Sequence, residues 1–175
     1  MNIITSVDRN WAIGKDNQLL ISIPEDMTFF KNKTLHKIVI MGKNTLESLP
    51  NSKPLPNRTN IVLTSDKHFK NSGVIICHSV QDVIEILGAA IKRGECSEDD
   101  IFVIGGESIF KQFLPYCRKA YITRIEKEFE ADKYFPENLE KSSEWEKVNS
   151  VKYYSESAKV VYYFEEYKRI HKNRF

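Results

Sequence analysis

Apolar residues follow two different spacings along this chain, and the two spacings alternate. Several short runs are β-branched or almost continuously apolar, which is typical of strands buried in a sheet. These runs predict strands over residues 2–7, 37–41, 59–63, 74–77, 101–104 and 121–125. Between them, apolar positions recur at helical spacing. Helices are predicted over 24–34, 44–48 and 80–92, and from Gly105-Gly106 to the residue before Pro115.

This alternation predicts an α/β fold whose sheet is mostly parallel. The C-terminal part differs, because 145–154 and 159–167 both alternate polar and apolar residues and only the turn 155–158 separates them. We expect this hairpin to form an antiparallel edge on the parallel sheet. No repeat or long linker interrupts the pattern, which predicts a single domain over residues 1–175.

Composition and charge narrow the class of protein without giving a function. Hydrophobic residues make up 41% of the 175 residues, enough for a real core and too many for a disordered chain. The 26 basic and 24 acidic residues leave a net charge of +2, too small to indicate a nucleic-acid partner. No apolar run is long enough for a membrane helix, and the N-terminus lacks a secretion signal. We therefore expect a cytoplasmic protein with neither a nucleic-acid nor a membrane partner.

The cysteines do not suggest a covalent or metal framework. Cys77, Cys96 and Cys117 are odd in number and widely spaced, without a C-x-x-C pair. This pattern predicts reduced thiols and no zinc site. The histidines show no metal-binding spacing either, so we expect no metal.

Three predicted strands run directly into small, polar or basic residues. In open α/β sheets, ligands bind outside the carboxyl ends of the strands, and glycines there let the backbone approach a phosphate. Each run alone is often only a turn, but three on one edge favour a phosphorylated ligand. No dinucleotide fingerprint or P-loop is present, so a kinase has no support. The runs are Gly42-Lys43-Asn44-Thr45, Thr64-Ser65-Asp66-Lys67 and Gly105-Gly106-Glu107-Ser108.

The helix predicted over 24–34 carries a carboxylate at the border of its apolar face. Ser22 and Glu25 fit a capping box before that face. Asp26 lies about 60° from the centre of the face at the helical spacing of about 100° per residue. Two interpretations stay open: a first-turn acid on the helix dipole, or an acid in an apolar pocket that needs a polar partner such as a ligand. The apolar face consists of Ile23, Met27, Phe30 and Thr34.

Two basic features are less specific. Arg58 follows a proline-rich loop, and it is either an ordinary exposed arginine or a bidentate partner for a carboxylate. The basic segment 168–174 is expected to be a solvated tail.

Motifs spread over nearly the whole chain occur in the order and spacing of one known family. They are Ile13-Gly14, Ile23-Pro24-Glu25-Asp26-Met27-x-x-Phe30-Lys31, Val39-Ile40-Met41-Gly42-Lys43-x-Thr45-x-Glu47-Ser48, Pro54-Leu55-Pro56-Asn57-Arg58-x-Asn60-Ile61-Val62-Leu63-Thr64, Ile104-Gly105-Gly106 and Tyr121-Ile122-Thr123-x-Ile125, then Asp132 and Phe135-Pro136. In these motifs the chain resembles the bacterial-type dihydrofolate reductases. The resemblance implies an eight-stranded sheet with about four flanking helices. It also implies a monomer, inhibited by antifolates, that reduces 7,8-dihydrofolate to 5,6,7,8-tetrahydrofolate with NADPH.

The resemblance implies roles for individual residues on the substrate side. Asp26 would be the only ionisable partner of the pterin ring, and the hydroxyl of Thr123 would support it. Arg58 would clamp the α-carboxylate of the glutamate tail. The pterin and benzoyl pocket would be walled by Ile4, Thr5, Met27, Phe30, Leu49, Leu55 and Ile104.

On the cofactor side, the resemblance implies that Lys43, Thr64 and Ser65 hold the adenosine 2′-phosphate, with His78 near it. A cis peptide would join Gly105 to Gly106, and residues 8–20 would form a mobile loop over the nicotinamide. The pyrophosphate and nicotinamide would lie along Gly42, Asn44, Thr45, Gly105, Gly106, Glu107, Ser108 and Ile109. Further implied cofactor contacts are Ser6, Ile13, Gly14, Asn17, Leu19, Leu63 and Gln112.

The chain departs from the family pattern near the predicted site. Leu20 and Ile21 stand where most relatives carry Pro and Trp, and Phe110 replaces a common Tyr. Two alternatives therefore stay open beside the reductase. One is a reductase of another pteridine-like or ribosylated pyrimidine substrate. The other is a catalytically silent folate- or nucleotide-binding protein.

Overall fold

The computed structural model describes residues 1–170. Its strands are β1 (Asn2–Val7), β2 (Ala12–Gly14), β3 (Ile38–Gly42), β4 (Thr59–Leu63), β5 (Ile75–Cys77), β6 (Ile101–Gly105), β7 (Lys119–Ile125), β8 (Lys133–Tyr134), β9 (Trp145–Ser155) and β10 (Val160–Arg169). Its α-helices are α1 (Pro24–Thr34), α2 (Lys43–Ser48), α3 (Val80–Lys92) and α4 (Glu107–Phe113). Single 3-10 turns lie at Pro50–Ser52, Glu98–Asp100 and Leu114–Tyr116.

One eight-stranded sheet contains every strand except β2 and β8, in the order β5-β4-β3-β6-β1-β7-β10-β9. The strands from β5 to β7 in this order all pair in parallel, whereas β10 pairs antiparallel with both β7 and β9. The predicted parallel α/β sheet with an antiparallel hairpin at its edge is therefore confirmed. The bounds predicted for the helices over 24–34 and 80–92 are those of α1 and α3.

Both faces of the central strands are buried, which explains their nearly continuous apolar runs. In β1, Ile3 and Val7 belong to the larger core cluster, whereas Ile4 belongs to a second cluster on the other face. The same division separates Ile40 from Val39 in the neighbouring β3. The second cluster is only partly closed at its rim, and this rim is where α1 approaches the sheet.

Two local predictions are wrong. Ser22 does not cap α1, because the helix begins after Ile23 without any side-chain cap. The Glu25 carboxylate instead accepts a hydrogen bond of 3.0 Å from the hydroxyl of Ser155, a buried residue at the end of β9. A distant partner thus replaces the local capping box. The apolar pattern also predicts no strand in the segment 8–20, whereas the short strand β2 forms there and pairs with β8.

The described part of the basic C-terminal segment belongs to the fold. Arg169 places its guanidinium 4.4 Å from the ring of Trp145 and donates hydrogen bonds to the carbonyls of Leu114 and Cys117. It is therefore part of the fold rather than solvated as predicted. Residues 171–174 of the predicted tail lie outside the described residues.

A buried carboxylate joins the three strands at the antiparallel edge. Glu165 on β10 is only 3% exposed. It accepts hydrogen bonds from Arg124 on β7 (3.1 Å), from Lys147 on β9 (3.1 Å) and from the hydroxyl of Tyr167 (2.7 Å). Two cations and a hydroxyl therefore compensate one buried charge.

We expect Glu165→Ala to lower the free energy of unfolding by about 3 kcal/mol, because it leaves two partly buried cations without their shared partner. Urea denaturation measures this change. The matched control is Glu146→Ala, which removes an exposed carboxylate from β9 and should cost far less. Equal losses in the two variants would contradict the stabilising role of the buried carboxylate.

Candidate active site

A buried hydroxyl and a helix carboxylate meet at the carboxyl end of the central strands. Thr123 lies on β7 beside Ser6 of β1 and is 2% exposed. Its Oγ1 donates a hydrogen bond of 2.6 Å to Oδ1 of Asp26, in the first turn of α1. The helix thus projects its only half-buried acid over the edge of the sheet.

The surroundings of Asp26 are poor in compensating charge. Burial raises the pKa of its carboxyl group, and the hydrogen bond from Thr123 lowers that pKa only in part. Within residues 1–170, Asp26 forms no ion pair with Lys, Arg or His. A buried carboxylate without a cation has a strong tendency to bind hydrogen-bond donors.

The partly closed core cluster forms the apolar wall beside this carboxylate. It brings together five of the predicted pocket residues. Met27 does not join this cluster, since its side chain is 50% exposed, and Thr5 is half-buried on β1 next to the cleft. The five clustered residues are Ile4, Phe30, Leu49, Leu55 and Ile104.

Arg58 is fixed at the far end of α1. Its Nε donates to the hydroxyl of Thr34 (3.2 Å), which in turn donates to the carbonyl of Phe30 (2.8 Å), and its Nη1 donates to the carbonyl of Pro56 (2.8 Å). The side-chain amide of Asn60 holds the preceding loop through hydrogen bonds of 3.0 and 2.9 Å to the backbone of Leu55. Burial lowers the pKa of the Arg58 guanidinium, which remains charged.

The supports of Arg58 were not identified from the sequence. Thr34 was placed only on the apolar face of the helix, and Asn60 only within a motif. Thr34 joins α1 to Arg58, and Asn60 joins β4 to the loop before it, and sequence periodicity reports neither contact.

The parallel register also brings polar residues together at the carboxyl ends of β3, β4 and β5. Gly42 pairs with Leu63, and Leu63 pairs with Cys77, so the residues that follow them lie side by side. Nδ1 of His78 lies 2.7 Å from the carbonyl oxygen of Thr64. The predicted residues Lys43, Thr64 and His78 therefore each come directly after one of three adjacent strands. Ser65 follows Thr64 and is exposed.

Lys43 has a partner that the sequence did not reveal. Its Nζ lies 2.8 Å from Oδ2 of Asp66 and 3.9 Å from Oε1 of Glu47. The hydrogen bond between Lys43 and Asp66 raises the pKa of Lys43 and lowers the pKa of Asp66. Asp66 belongs to one of the polar runs noted in the sequence, Thr64-Ser65-Asp66-Lys67. Its contact with Lys43 follows only from the folded structure.

Glycines stand where the starts of α2 and α4 approach each other. The peptide between Gly105 and Gly106 is cis, and Gly105 has a φ of +119°. A Cβ on Gly42 would lie 3.1 Å from Ile109, and one on Gly106 would lie 3.5 Å from Oγ1 of Thr45. Side chains at these positions would crowd the two helix starts, so the glycines keep the backbone accessible to a flat or phosphorylated ligand.

Comparison with known proteins identifies the family. The family model described as dihydrofolate reductase matches residues 1–169 of the chain. The chain belongs to the dihydrofolate reductase family. The dihydrofolate reductase of Staphylococcus haemolyticus is 37% identical over 97% of this chain and 96% of its own. That of Bacillus subtilis is 39% identical over 86% of this chain and 82% of its own.

A solved member of the dihydrofolate reductase family has the same fold. It comes from Enterococcus faecalis and is complexed with NADP(H) and RAB-propyl. The match has a TM-score of 0.82 and 34% sequence identity, and covers 97% of this chain and 96% of that one. A relative with the same architecture therefore binds NADP(H).

The other predicted cofactor residues of this dihydrofolate reductase family member are less closely grouped. Asn17 and Leu19 are exposed, the latter by 59%, whereas Ile13 and Gly14 belong to β2. Glu107 accepts a hydrogen bond of 2.9 Å from the backbone of Tyr134 on β8. Ser108 and Gln112 bond to each other on the exposed side of α4.

Two of the three residues that depart from the family pattern, Ile21 and Phe110, pack against apolar neighbours. Ile21 joins an apolar cluster with Ile23, Ile125 and Tyr162 beside the start of α1. Phe110 is 1% exposed and packs against Phe135, with ring centroids 5.1 Å apart. These substitutions therefore fit an intact core.

Within residues 1–170, no cluster of His, Cys, Asp and Glu is suited to hold a metal ion. The helices described there are too short or too polar to cross a bilayer.

The raised pKa of Asp26 predicts how stability depends on pH. Above its ordinary value of 3.8, the folded state keeps a proton on Asp26 that the unfolded chain has lost, so stability falls as pH rises to the folded-state pKa. We expect Asp26→Asn, which keeps the shape and the acceptor for Thr123, to be more stable than the native protein at neutral pH. The gain is about 1.4 kcal/mol for each unit of the shift, and it disappears below about pH 3.

Thermal or urea unfolding across this pH range measures the difference. The control is Glu128→Gln, which removes an exposed carboxylate and should leave stability at neutral pH nearly unchanged. If the free energy of unfolding depends on pH in the same way for the native protein and for Asp26→Asn, Asp26 is well solvated.

Proposed function

We propose that this chain reduces 7,8-dihydrofolate to 5,6,7,8-tetrahydrofolate with NADPH as the hydride donor. The observation that carries the proposal is the Asp26–Thr123 pair at the rim of an apolar cleft, with a bond of 2.6 Å and no ion-pair partner for Asp26 among residues 1–170. Family membership and the fold shared with an NADP(H)-binding relative support the same reaction.

Asp26 is the acid that holds the pterin ring. Thr123 engages one of its carboxylate oxygens, so the other is free to accept hydrogen bonds from the ring amino group and N3–H. A charged acceptor in an apolar cleft forms stronger hydrogen bonds than it would in water. Binding there polarises the ring, and we assign delivery of the N5 proton to a water molecule.

The chemistry that NADPH supplies when bound is a hydride, and this chain contributes orientation and the exclusion of water. The glycines at the starts of α2 and α4 suit a cofactor, because added Cβ atoms at Gly42 and Gly106 would crowd the exposed backbone there. We assign the adenosine 2′-phosphate to Lys43, Thr64 and Ser65, with His78 beside them. The apolar wall that contains Phe30, Leu49 and Leu55 orients the pterin and benzoyl groups.

Arg58 binds the α-carboxylate of the glutamate tail. Thr34 and Pro56 hold its Nε and Nη1, which orients the guanidinium before substrate arrives. A preorganised arginine loses less side-chain entropy on binding and offers a fork that matches a carboxylate.

We further propose a cytoplasmic monomer that forms a single domain over residues 1–175 and has no nucleic-acid partner. Its three cysteines are free, which suits a reducing compartment. Its net charge of +2 provides no strong field for nucleic acid.

Oxidation of NADPH in the presence of dihydrofolate, followed by near-ultraviolet absorbance, tests the reaction. We expect Asp26→Asn to lose about 100-fold or more in turnover at neutral pH, because the ring loses its charged partner. The remaining activity should rise as pH falls, since substrate that is already protonated no longer needs the carboxylate. Binding of NADPH should be unchanged.

The matched control is Glu25→Gln, which removes the charge of the neighbouring acid but keeps an oxygen that can accept from Ser155, so it should keep most of the turnover. If Asp26→Asn keeps the native rate at neutral pH, Asp26 is only a first-turn acid and the proposed mechanism is wrong.

We expect Arg58→Lys to weaken the binding of methotrexate by about 2 kcal/mol, because an ammonium group cannot reproduce the bidentate contact with the tail carboxylate. An antifolate without a glutamate tail should be affected far less. Inhibition constants for both compounds measure the difference, and Arg93→Lys on the surface is the control. Similar losses for both inhibitors would make Arg58 a structural residue.

A further inference from the structure

The lysine assigned to the cofactor phosphate is already engaged by two acids. Lys43 Nζ lies 2.8 Å from Asp66 and 3.9 Å from Glu47, so two carboxylates face one ammonium group. The inference drawn from this arrangement rests on the proposed function, in which Lys43 binds the 2′-phosphate that distinguishes NADPH from NADH.

Asp66 is held in place by its own turn. Its Oδ1 accepts a hydrogen bond of 2.9 Å from the backbone N–H of His68, and its backbone N–H donates to Oγ1 of Thr64 (3.1 Å). Phe69 closes the turn with a backbone bond of 3.3 Å to the carbonyl of Asp66, and its ring lies 5.4 Å from the Lys43 ammonium. The carboxylate is therefore a fixed feature of the site rather than a freely moving side chain.

We propose that Asp66 determines cofactor preference by competing with the 2′-phosphate for Lys43. An ammonium group has three N–H donors, so a phosphate that shares Lys43 with Asp66 comes close to a like charge. A phosphate that displaces Asp66 instead breaks the existing ion pair. NADH has no 2′-phosphate and meets neither cost. Asp66 therefore lowers the ratio by which the site favours NADPH over NADH.

The geometry favours this role over that of a silent surface ion pair. Asp66 and Thr64 belong to the same strand end, and Thr64 is itself assigned to the phosphate. Both partners of the pair are partly exposed, with 31% of the Lys43 side chain and 38% of the Asp66 side chain accessible. A charged ligand can therefore reach the pair, and dissolved salt screens the competition.

The test is Asp66→Asn, which removes the charge and keeps an oxygen that can accept from the N–H of His68. We expect the KM for NADPH to fall about fivefold at low ionic strength, the range of an exposed ion pair, and the KM for NADH to change less than about twofold. The difference should shrink in concentrated salt. The matched control is Glu95→Gln, which makes the same change in net charge at the Arg93 pair beyond α3 and should alter neither constant.

Calorimetric titration with 2′,5′-ADP and with 5′-AMP tests the same competition without turnover. Asp66→Asn should bind 2′,5′-ADP about fivefold more tightly than the native protein and should bind 5′-AMP equally well. Unchanged or weaker binding of 2′,5′-ADP would overturn the proposal, and weaker binding of both nucleotides would make Asp66 a structural residue of its turn. Failure of the native protein to reduce dihydrofolate would instead count against the proposed reaction, because these titrations do not depend on it.

Discussion

Parallel pairing places the carboxyl ends of six neighbouring strands on one edge of the sheet, and the candidate residues for the cofactor and the pterin ring depend on this constraint, whereas Arg58 precedes β4. The order β5-β4-β3-β6-β1-β7 carries Lys43 and Thr64 near one end of that edge and Thr123 near the other. The glycine pair at the end of β6 lies between them. In the proposed function, this one edge carries, in order, the residues that bind the 2′-phosphate, the glycines beside the cofactor and the residue that supports the substrate acid.

The two ends of this edge treat charge in opposite ways. At Asp26, burial without an ion-pair partner among residues 1–170 raises the pKa of a carboxyl group that must bind hydrogen-bond donors. At Lys43, two acids surround a cation before any ligand arrives. In the proposed function, the first arrangement lowers the stability of the folded state at neutral pH and strengthens binding of the pterin ring, whereas the second weakens binding of the 2′-phosphate. Both show that a site residue cannot be judged by its type alone, since its partners set the sign of its contribution.

The sequence was informative wherever the signal was local and repeated. Continuous apolar runs such as 59–63 identified strands that are covered on both faces, and the apolar spacing from Val80 to Ile91 matched α3. It failed where the partner was distant: Glu25 bonds to Ser155, Arg58 to Thr34, and Lys43 to Asp66. The sheet of β2 and β8 was missed because two and three residues are too few to establish a period. Helical spacing placed Asp26 at the border of an apolar face, and the sequence left two interpretations open for it and for Arg58. The pairing of Asp26 with Thr123 was predicted only because a family resemblance supplied the long-range information.

The bond between Glu25 and Ser155 has a consequence for biosynthesis. It ties the first helix to the end of the penultimate strand, and β7, which carries Thr123, gains its second neighbour only when β10 is added. A ribosome makes the chain from the N-terminus, so Asp26 is synthesised early, long before the segments that hold its helix in place. The nascent chain thus carries its substrate acid through most of translation without the support of Ser155 and β10. An incomplete product that lacks the last two strands would lack both the anchor of α1 and the outer neighbour of the strand that supports the acid.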